Sequence, residues 1–286
     1  MLLKEIKKIY HKELGEIYSK EEVDSFFYIL IEHYLGLERF VLALQPNISI
    51  SKEEEQPLFK ALSELRLQRP VQYIIGKTHF MDMDFLVDEN VLIPRPETEE
   101  LVRWILETSQ ASPDKNPTIL DIGTGSGCIA ISLAKNLPKA QVYGLDVSEP
   151  ALEIARRNAK KNEVDTIFLQ NDILTRPKLN RKFDSIVSNP PYVRDMEKKE
   201  MQKNVLEHEP DSALFVSDEN PLVFYEAIAR FAKKNLKING ILFLEINQYL
   251  AKETQALLEQ YNFSEIELRK DMFGNDRLVK CTDLKN

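Results

Sequence analysis

Residues 118–127 read Thr118-Ile119-Leu120-Asp121-Ile122-Gly123-Thr124-Gly125-Ser126-Gly127. The first five residues predict a buried β-strand, and a helix over residues 128–136 is expected to follow the last glycine. Three of the nine glycines in the chain lie here, at alternate positions. Because glycine has no side chain, the backbone can turn tightly at this point and approach a ligand closely. The stretch therefore predicts a strand, a ligand-binding loop and a helix in direct succession.

The alternation of strand and helix continues downstream. Residues 141–146 predict a second strand that ends in Asp146, and residues 166–170 predict a third that ends before Asn171, Asp172 and Ile173. This pattern is typical of a mainly parallel sheet with helices on both faces. Ligands of such sheets bind at the carboxyl ends of the strands, so we expect Asp146 to hold a ribose diol. We expect Asp172 to accept a hydrogen bond from an adenine amino group and Ile173 to cover the ring.

The spacing of the glycine loop separates two classes of ligand. A glycine loop with a downstream acid also suits a dinucleotide-dependent dehydrogenase, whose loop reads Gly-x-Gly-x-x-Gly. Here the order is Asp-x-Gly-x-Gly-x-Gly, with an acid inside the preceding strand. This favours S-adenosylmethionine as the ligand, with S-adenosylhomocysteine as the product. The ammonium group of S-adenosylmethionine suits an acid near Asp121, and the molecule has no pyrophosphate that requires a helix N-terminus. The predicted donor-binding residues are Asp121, Gly123, Thr124, Gly125, Ser126, Gly127, Asp146, Asp172, Ile173 and Asn189.

Residues 183–192 contain a further predicted strand and, directly after it, a second motif. They read Phe-Asp-Ser-Ile-Val-Ser-Asn-Pro-Pro-Tyr. The two prolines fix their φ angles, and Asn189 is pushed to extended geometry because it precedes a proline. The Asn189 side-chain oxygen and the Pro190 carbonyl could both accept hydrogen bonds from a planar NH2 group, on which Tyr192 could stack. We predict Asn189, Pro190 and Tyr192 as catalytic, and these three with Pro191 as substrate-binding. The alternative is an ordinary loop.

Composition narrows the class of protein further. The chain has 286 residues, 43% of them hydrophobic, and can bury the cores of two domains. A net charge of −8 argues against a general nucleic-acid binder, which needs basic surface. The two cysteines, Cys128 and Cys281, lack metal-site spacing, so no metal site is predicted and a reducing cytoplasm is expected. No apolar run is long enough for a membrane span, and we expect a cytoplasmic monomer.

Three segments are predicted along the chain. Residues 1–70 carry apolar residues at helical spacing and two capping boxes, Ser19 with Glu22 and Ser51 with Glu54, which indicate four or five helices. Residues 71–93 alternate in the manner of a β-hairpin linker, and residues 94–286 form the catalytic domain. Because the helical segment contains no glycine loop, nucleophile pair or metal cluster, we interpret it as a docking module for the substrate. The alternative is a scaffold that only caps the next domain.

Beyond these patterns, the sequence resembles the HemK/PrmC family of release factor glutamine methyltransferases over essentially its whole length. The combination of Ile-Pro-Arg-Pro-Glu-Thr-Glu with Asn-Pro-Pro-Tyr is highly specific for that family. One departure lies at Asn247, where the family usually carries glycine; asparagine tolerates a left-handed backbone better than most residues, so the turn can survive. The matching stretches are residues 69–76, 93–99, 121–127 and 189–192, Glu209 with Pro210, Ala213 with Leu214, and Asp271 with Gly274, Asp276 and Arg277.

The resemblance implies methylation of the side-chain amide nitrogen of the glutamine in the Gly-Gly-Gln loop of class I peptide chain release factors. It also implies a class I S-adenosylmethionine-dependent methyltransferase fold, Rossmann-like, with a seven-stranded mixed sheet and an N-terminal helical bundle joined by a hairpin. An amide nitrogen is a poor nucleophile, so Asn189 and Pro190 would hold it in line with the methyl group and stabilise the positive charge that grows on it. A histidine base is not required before transfer.

Two other functions compete with this one. Amino-methyltransferases that act on an exocyclic base amine of DNA or RNA use similar turns, since that amine is also a planar NH2. They need a basic nucleic-acid channel, whereas this chain is acidic and its additional segment is helical and not basic. A binding module with a vestigial donor pocket is the third possibility, and the intact glycines and Asn189 argue against it. We therefore expect no direct nucleic-acid partner.

Overall fold

The computed structural model describes residues 1–110 and 116–283. These residues form two compact units, Met1–Gly76 with Gln202–His208 and Lys77–Met201 with Glu209–Asn286. Within the described ranges the helices are α1 Leu3–Leu14, α2 Lys20–Leu35, α3 Val41–Leu44, α4 Lys52–Arg66, α5 Val71–Ile75, α6 Pro96–Gln110, α7 Cys128–Asn136, α8 Glu149–Lys161, α9 Lys203–His208, α10 Asp211–Leu214, α11 Val223–Asn235 and α12 Ala251–Gln260. The strands there are β1 Lys77–Phe80, β2 Met83–Leu86, β3 Thr118–Ile122, β4 Gln141–Asp146, β5 Thr166–Gln170, β6 Phe183–Ser188, β7 Val193–Arg194, β8 Phe215–Val216, β9 Leu236–Glu245, β10 Ser264–Lys270 and β11 Asp276–Thr282.

The first unit is a helical bundle. Its core is built from side chains three or four residues apart, and in α1 these are Leu3, Ile6, Tyr10 and Leu14. The two predicted capping boxes are present, since the Ser19 and Ser51 hydroxyls accept from backbone amides in the first turns of α2 and α4. Both devices are encoded locally, which is why the helices within residues 1–70 agree with the prediction.

The predicted hairpin begins later than expected. Residues 71–75 form helix α5 instead of the start of a strand, so their assignment to the hairpin was wrong. Pro70 stands at the N-cap of α5 and Gly76 ends it with a φ of 70°, while Val71 and Tyr73 are buried. The antiparallel hairpin itself comprises β1 and β2, which pair from Lys77 with Leu86 to Phe80 with Met83.

The second unit contains a seven-stranded mixed sheet in the order β10-β11-β9-β6-β3-β4-β5. Strands β9, β6, β3, β4 and β5 are parallel, and β11 runs antiparallel to both β9 and β10. Alternate strand residues face opposite layers: Leu120 and Ile186 pack in the same core cluster as residues of α11 and α12, while Ile119 and Val187 pack with residues of α6 and α7. The predicted α/β fold with helices on both faces is confirmed.

The strand order brings the sequence motifs to one edge. Strand β3 lies between β4 and β6, with Ile122 paired with both Leu145 and Ser188. The glycine loop, Asp146 and Asn189 therefore leave the sheet side by side at its carboxyl edge. Strand β9 follows β6 in the sheet, with Leu244 opposite Ser188, so Glu245 ends at the same edge.

No helix in residues 1–110 or 116–283 combines the length and the apolar character needed to cross a bilayer.

Candidate active site

The glycine loop is anchored to the neighbouring strand through its backbone. Gly123 and Thr124 donate their amide hydrogens to the Leu145 carbonyl, at 2.8 and 3.0 Å. Gly127 has a φ of 83°, and a Cβ atom there would lie 2.8 Å from the Ile131 Cδ1 and 3.2 Å from the Ala155 Cβ. Glycine is therefore needed at this position, both for the backbone angle and for the close packing of α7 against α8.

Asp121 lies behind the loop, fully buried. Its Oδ2 accepts a hydrogen bond from the Thr124 hydroxyl at 2.6 Å. Its Oδ1 has no hydrogen-bond partner among the described residues. Burial raises the pKa of Asp121 to about 7, against the opposing effect of the Thr124 hydrogen bond. The carboxyl group thus supports the loop from inside the sheet through one oxygen, and its other oxygen is left without a hydrogen bond among the described residues.

A cavity of about 340 Å³ opens at the carboxyl edge of the sheet, beside the loop. Eight of the ten predicted donor-binding residues line it, while Asp121 and Gly127 do not. The residues that line it are Gly123, Thr124, Gly125, Ser126, Asp146, Asp172, Ile173 and Asn189. The volume falls within the range of small-molecule sites, so the cavity can accept a nucleotide-sized ligand.

The two acids on the cavity wall are held by backbone amides. Asp146 accepts from Gly125 N through Oδ2 at 2.8 Å and from Ser148 N through Oδ1 at 3.0 Å. Burial raises the pKa of Asp146, and these two hydrogen bonds oppose the rise. Asp172 accepts from Leu174 N at 2.8 Å, which begins a short 3₁₀ turn over Ile173–Thr175. Because a carboxylate has about four acceptor positions, both acids keep lone pairs for a ligand.

The Asn-Pro-Pro-Tyr turn separates this cavity from a smaller one of about 50 Å³. Asn189 and Pro190 border both cavities, Pro191 borders the larger and Tyr192 the smaller. The smaller cavity has room for only a few water molecules or a group of similar size. No histidine lies among the described residues that border either cavity. The turn therefore places Asn189 on the border of two cavities that can hold ligands of different size.

A buried polar network supports the turn from behind. Asn189 Nδ2 donates to Thr98 Oγ1 at 3.1 Å, and the Thr98 hydroxyl donates to Glu245 Oε2 at 2.7 Å. The Tyr192 hydroxyl donates to the other oxygen, Glu245 Oε1, at 2.9 Å. Burial raises the pKa of Glu245, while the hydrogen bonds from Thr98 and Tyr192 and the charge of Arg277 act against the rise. The Glu245 carboxyl group thus accepts directly from Tyr192 at one end of the turn and is connected through Thr98 to Asn189 at the other.

Arg95 borders both cavities and is oriented by a buried acid. Glu209 accepts from Arg95 Nη2 at 2.6 Å and from Ile93 N at 3.2 Å. Only about a third of the Arg95 side chain is exposed, whereas Glu209 is almost fully buried. The ion pair fixes the backbone that leads into α6, and with it the position of Thr98.

Known proteins match this chain along nearly its whole length. Residues 102–214 match the Methyltransferase small domain family and residues 10–76 the PrmC N-terminal domain family. The release factor glutamine methyltransferase of Flavobacterium psychrophilum is 52% identical over 281 residues, which cover 98% of this chain and 99% of the relative. That of Bacteroides thetaiotaomicron is 40% identical over 269 residues, 94% of this chain and 95% of the relative.

The chain belongs to the release factor glutamine methyltransferase family. Two solved structures share its fold at low identity. A methyltransferase from Pyrococcus furiosus has a TM-score of 0.51 and 16% identity, covering 82% of this chain and all of that one. A Thermus thermophilus 16S rRNA methyltransferase, solved with AdoMet and guanosine, has a TM-score of 0.51 and 17% identity, covering 72% of this chain and 49% of that one. The predicted family and the class I methyltransferase fold are confirmed.

Two residues that support the site in this member of the release factor glutamine methyltransferase family were not predicted from the sequence. Thr98 lies within the matching stretch 93–99 and Glu245 lies two residues before the departure at Asn247, but the sequence predicts no role for either. The one available signal was that a strand-ending acid, Glu245, follows an apolar run in the same way as Asp146. Tyr192 lies at the predicted turn, but its hydroxyl is committed to Glu245, a contact that was not predicted.

Asn247, the departure from the usual glycine of the release factor glutamine methyltransferase family, does not need a left-handed backbone. Its φ is −67° and its ψ 125°, which is extended, so the expectation of a left-handed turn was wrong. The side chain instead connects three segments: Nδ2 donates to the Tyr192 carbonyl at 2.9 Å and to Glu197 Oε2 at 2.8 Å, and Oδ1 accepts from Tyr249 N at 2.9 Å. Asn247 is therefore a polar clamp on the end of the turn.

Proposed function

We propose that this chain transfers a methyl group from S-adenosylmethionine to the side-chain amide nitrogen of the glutamine in the Gly-Gly-Gln loop of class I peptide chain release factors. The observation that carries the proposal is the position of Asn189, on the shared wall of a nucleotide-sized cavity and a much smaller one. The names of the two relatives described above support the same substrate.

The residues of the larger cavity fit the donor. S-Adenosylmethionine supplies an electrophilic methyl group and leaves as S-adenosylhomocysteine. Asp146 keeps acceptor positions for the ribose hydroxyls, and Asp172 and Ile173 lie together where an adenine amino group and ring would be held. A Cβ atom at Gly125 would have no neighbour within 4 Å, so a side chain there would project into the space that a ligand needs. Asp121 lies behind the loop and does not line the cavity, and burial raises its pKa to about 7, so the ammonium group of the donor would favour its ionised form.

The chemistry assigned to the turn needs acceptors and no base. The Asn189 side-chain oxygen and the Pro190 carbonyl accept hydrogen bonds from the NH2 of the glutamine amide and aim its nitrogen at the methyl group. As the new C–N bond forms and the S–C bond breaks, positive charge grows on nitrogen, and the two oxygens stabilise it. The nitrogen then loses one proton to water. Tyr192, whose hydroxyl is fixed by Glu245, borders the smaller cavity, and we assign its ring to stacking on the amide.

We assign docking of the release factor to the helical segment, residues 1–70. Every residue that lines the two cavities lies in the other unit, Lys77–Met201 with Glu209–Asn286, so the helical unit contributes none of the cavity walls. Its surface exposes Phe40 and Leu44, one helical turn apart. Changing both to serine should weaken methylation of the whole factor several-fold at subsaturating substrate, while donor affinity stays unchanged. Full activity of this double variant would argue against Phe40 and Leu44 as contacts.

Intact-mass analysis of a purified class I release factor, incubated with this protein and S-adenosylmethionine, tests the proposed function. We expect the gain of a single methyl group, which peptide mapping places on the glutamine of the Gly-Gly-Gln loop. A factor with that glutamine changed to alanine is the matched control and should gain nothing. Methyl transfer to DNA or RNA oligonucleotides, with none to the factor, would contradict the proposal and favour a base-amine methyltransferase.

A further inference from the structure

The Asn189 amide has two possible orientations, which exchange its oxygen and its NH2 group. Only the orientation with the oxygen toward the cavities can accept a hydrogen bond from a substrate NH2. Asn189 Oδ1 has no hydrogen-bond partner among residues 1–110 and 116–283, whereas Nδ2 faces Thr98. The groups behind the Asn189 amide therefore determine which of the two orientations it takes.

We propose that Thr98 and Glu245 are positioning residues, which form a hydrogen-bond relay that holds the Asn189 oxygen toward the substrate. Thr98 is buried in the first turn of α6 and Glu245 is buried at the end of β9. Neither acts on the substrate directly in this assignment. The proposal rests on the proposed function for the identity of the group that the oxygen accepts from.

The direction of each hydrogen bond follows from the number of hydrogens available. The Thr98 hydroxyl has one hydrogen, and the Glu245 carboxylate at 2.7 Å takes it. Toward Asn189 the same hydroxyl presents only a lone pair, so only the NH2 end of the amide can face it, at 3.1 Å. A reversed amide would set its oxygen against that lone pair, a repulsive arrangement in a buried site.

The relay has two arms that end on Glu245: one runs from Asn189 through Thr98, and the second runs from Arg277 through Tyr192. The second arm also keeps Glu245 an acceptor. Arg277 has only donors, and its Nη1 lies 3.5 Å from the Tyr192 hydroxyl oxygen. The Tyr192 hydrogen therefore points away from Arg277, to Glu245 Oε1 at 2.9 Å. Both arms begin on a group with hydrogens to give, Arg277 in one and the Asn189 NH2 in the other, and both end on Glu245. Reversing the Thr98 hydroxyl would require a proton on Glu245; burial favours that proton, whereas the hydrogen bonds from Thr98 and Tyr192 and the charge of Arg277 oppose it.

The test compares Thr98→Val, which removes the hydroxyl at nearly constant volume, with Thr98→Ser, which keeps it. Thr254→Val is the matched control, because Thr254 is also buried in a helix and its hydroxyl has no partner among the described residues. In single-turnover assays at saturating donor, Thr98→Val should be slower by about tenfold or more, since misplacing a reacting group by about 1 Å can cost roughly a hundredfold. Thr98→Ser and Thr254→Val should stay within about threefold of wild type, and donor affinity should not change in any of them. A wild-type rate for Thr98→Val would overturn the proposal.

A double-mutant cycle separates positioning from general damage. The relay acts only through Asn189, so in an Asn189→Ala background Thr98→Val should have almost no further effect on the rate. A further tenfold loss in that background would overturn the proposal. If Thr98→Val does not fold, Glu245→Gln replaces it in the same cycle, because Thr98 and Tyr192 donate to different oxygens of Glu245 and an amide has an NH2 donor in place of one of them.

A spectroscopic readout stays independent of the proposed function. In protein labelled with nitrogen-15 at asparagine, the side-chain NH2 signals of Asn189 are identified by their loss in Asn189→Ala. Thr98→Val should shift these signals, and Thr98→Ser should leave them close to wild type. If wild-type protein fails to methylate a release factor but these shifts occur, the proposed function is wrong and the relay stands. If the Asn189 signals of Thr98→Val match wild type, the relay is wrong whatever the substrate.

Discussion

The glycine loop and the Asn-Pro-Pro-Tyr turn end neighbouring strands but are held in different ways. The loop is fixed by backbone hydrogen bonds and by side chains close in sequence: Thr124 bonds Asp121, three residues away, and Asp146 bonds Gly125, twenty-one away. The turn is fixed by side chains far along the chain, since Asn189 bonds Thr98, ninety-one residues away, and Tyr192 bonds Glu245, fifty-three away. The difference predicts that changes at the loop act on donor binding, whereas changes at the turn act on turnover.

The largest expected effect tests the turn. Asn189→Ala should lower turnover by about a hundredfold or more and leave donor affinity nearly unchanged, because in the proposed mechanism the lost oxygen stabilises charge that appears only during transfer. Single-turnover transfer at saturating donor and calorimetric titration of donor measure the two quantities. Asn189→Asp keeps an acceptor but loses the hydrogen given to Thr98, so we expect an intermediate rate. Asn136→Ala, at the end of α7, is the control, and equal rates for it and Asn189→Ala would remove Asn189 from the mechanism.

The complementary test is at the loop. Asp146→Ala should weaken donor binding by about ten- to a hundredfold, since hydrogen bonds to a charged acceptor contribute roughly 1.5–3 kcal/mol. Turnover at saturating donor should fall far less, which is the reverse of the pattern at Asn189. Glu149→Ala, which removes a partly exposed acid three residues away that is paired with Arg156, should change neither quantity. The comparison fails if Asp146→Ala binds donor as wild type does.

The buried carboxyl behind the loop predicts a pH dependence of stability. The pKa of Asp121 is about 7 in the folded protein, above about 3.9 for an unfolded chain. As the pH rises between these values the unfolded chain ionises first, so the contribution of Asp121 to stability is present at low pH and is lost toward pH 7. The slope reaches at most about 1.4 kcal/mol per pH unit. Denaturation of wild type and Asp121→Asn from pH 4 to 8 isolates this slope, which should be absent in the variant. Parallel curves would contradict it.

The smallest expected effect sharpens the description of the turn. Asn247→Gly removes the hydrogen bonds to the Tyr192 carbonyl, Glu197 and Tyr249 but keeps the extended backbone accessible. Because these bonds hold the end of the turn and not Asn189 itself, we expect turnover to fall only about two- to tenfold. Hydrogen exchange should quicken in residues 193–200. If exchange there stays slow while turnover falls as far as in Asn189→Ala, Asn247 is part of the reacting centre.

Features set by residues close together in the sequence could be predicted, whereas contacts between residues far apart in the sequence could not. The ends of β3, β4 and β6 could be located because apolar runs stop at Gly123, Asp146 and Asn189, and parallel strands place such ends at one edge. The role of Glu245 depends on β9 lying next to β6, a pairing that no local pattern encodes. Residues 71–75 were misassigned because a short apolar run fits a strand or a helical turn equally well, and burial of Val71 and Tyr73 decided the outcome.

In the proposed mechanism, the fixed direction of the Asn189 amide would also determine which substrate side chain can react. A glutamine that has deamidated to glutamate offers only lone pairs to the Asn189 oxygen, so the two groups repel and the site's acceptor is left unpaired. Sites built around such a hydrogen bond reject analogues that lack the hydrogen by factors on the order of ten-thousandfold. A chemically aged release factor would therefore pass through unmethylated, and the relay behind the turn would keep the methyl mark on intact glutamine alone.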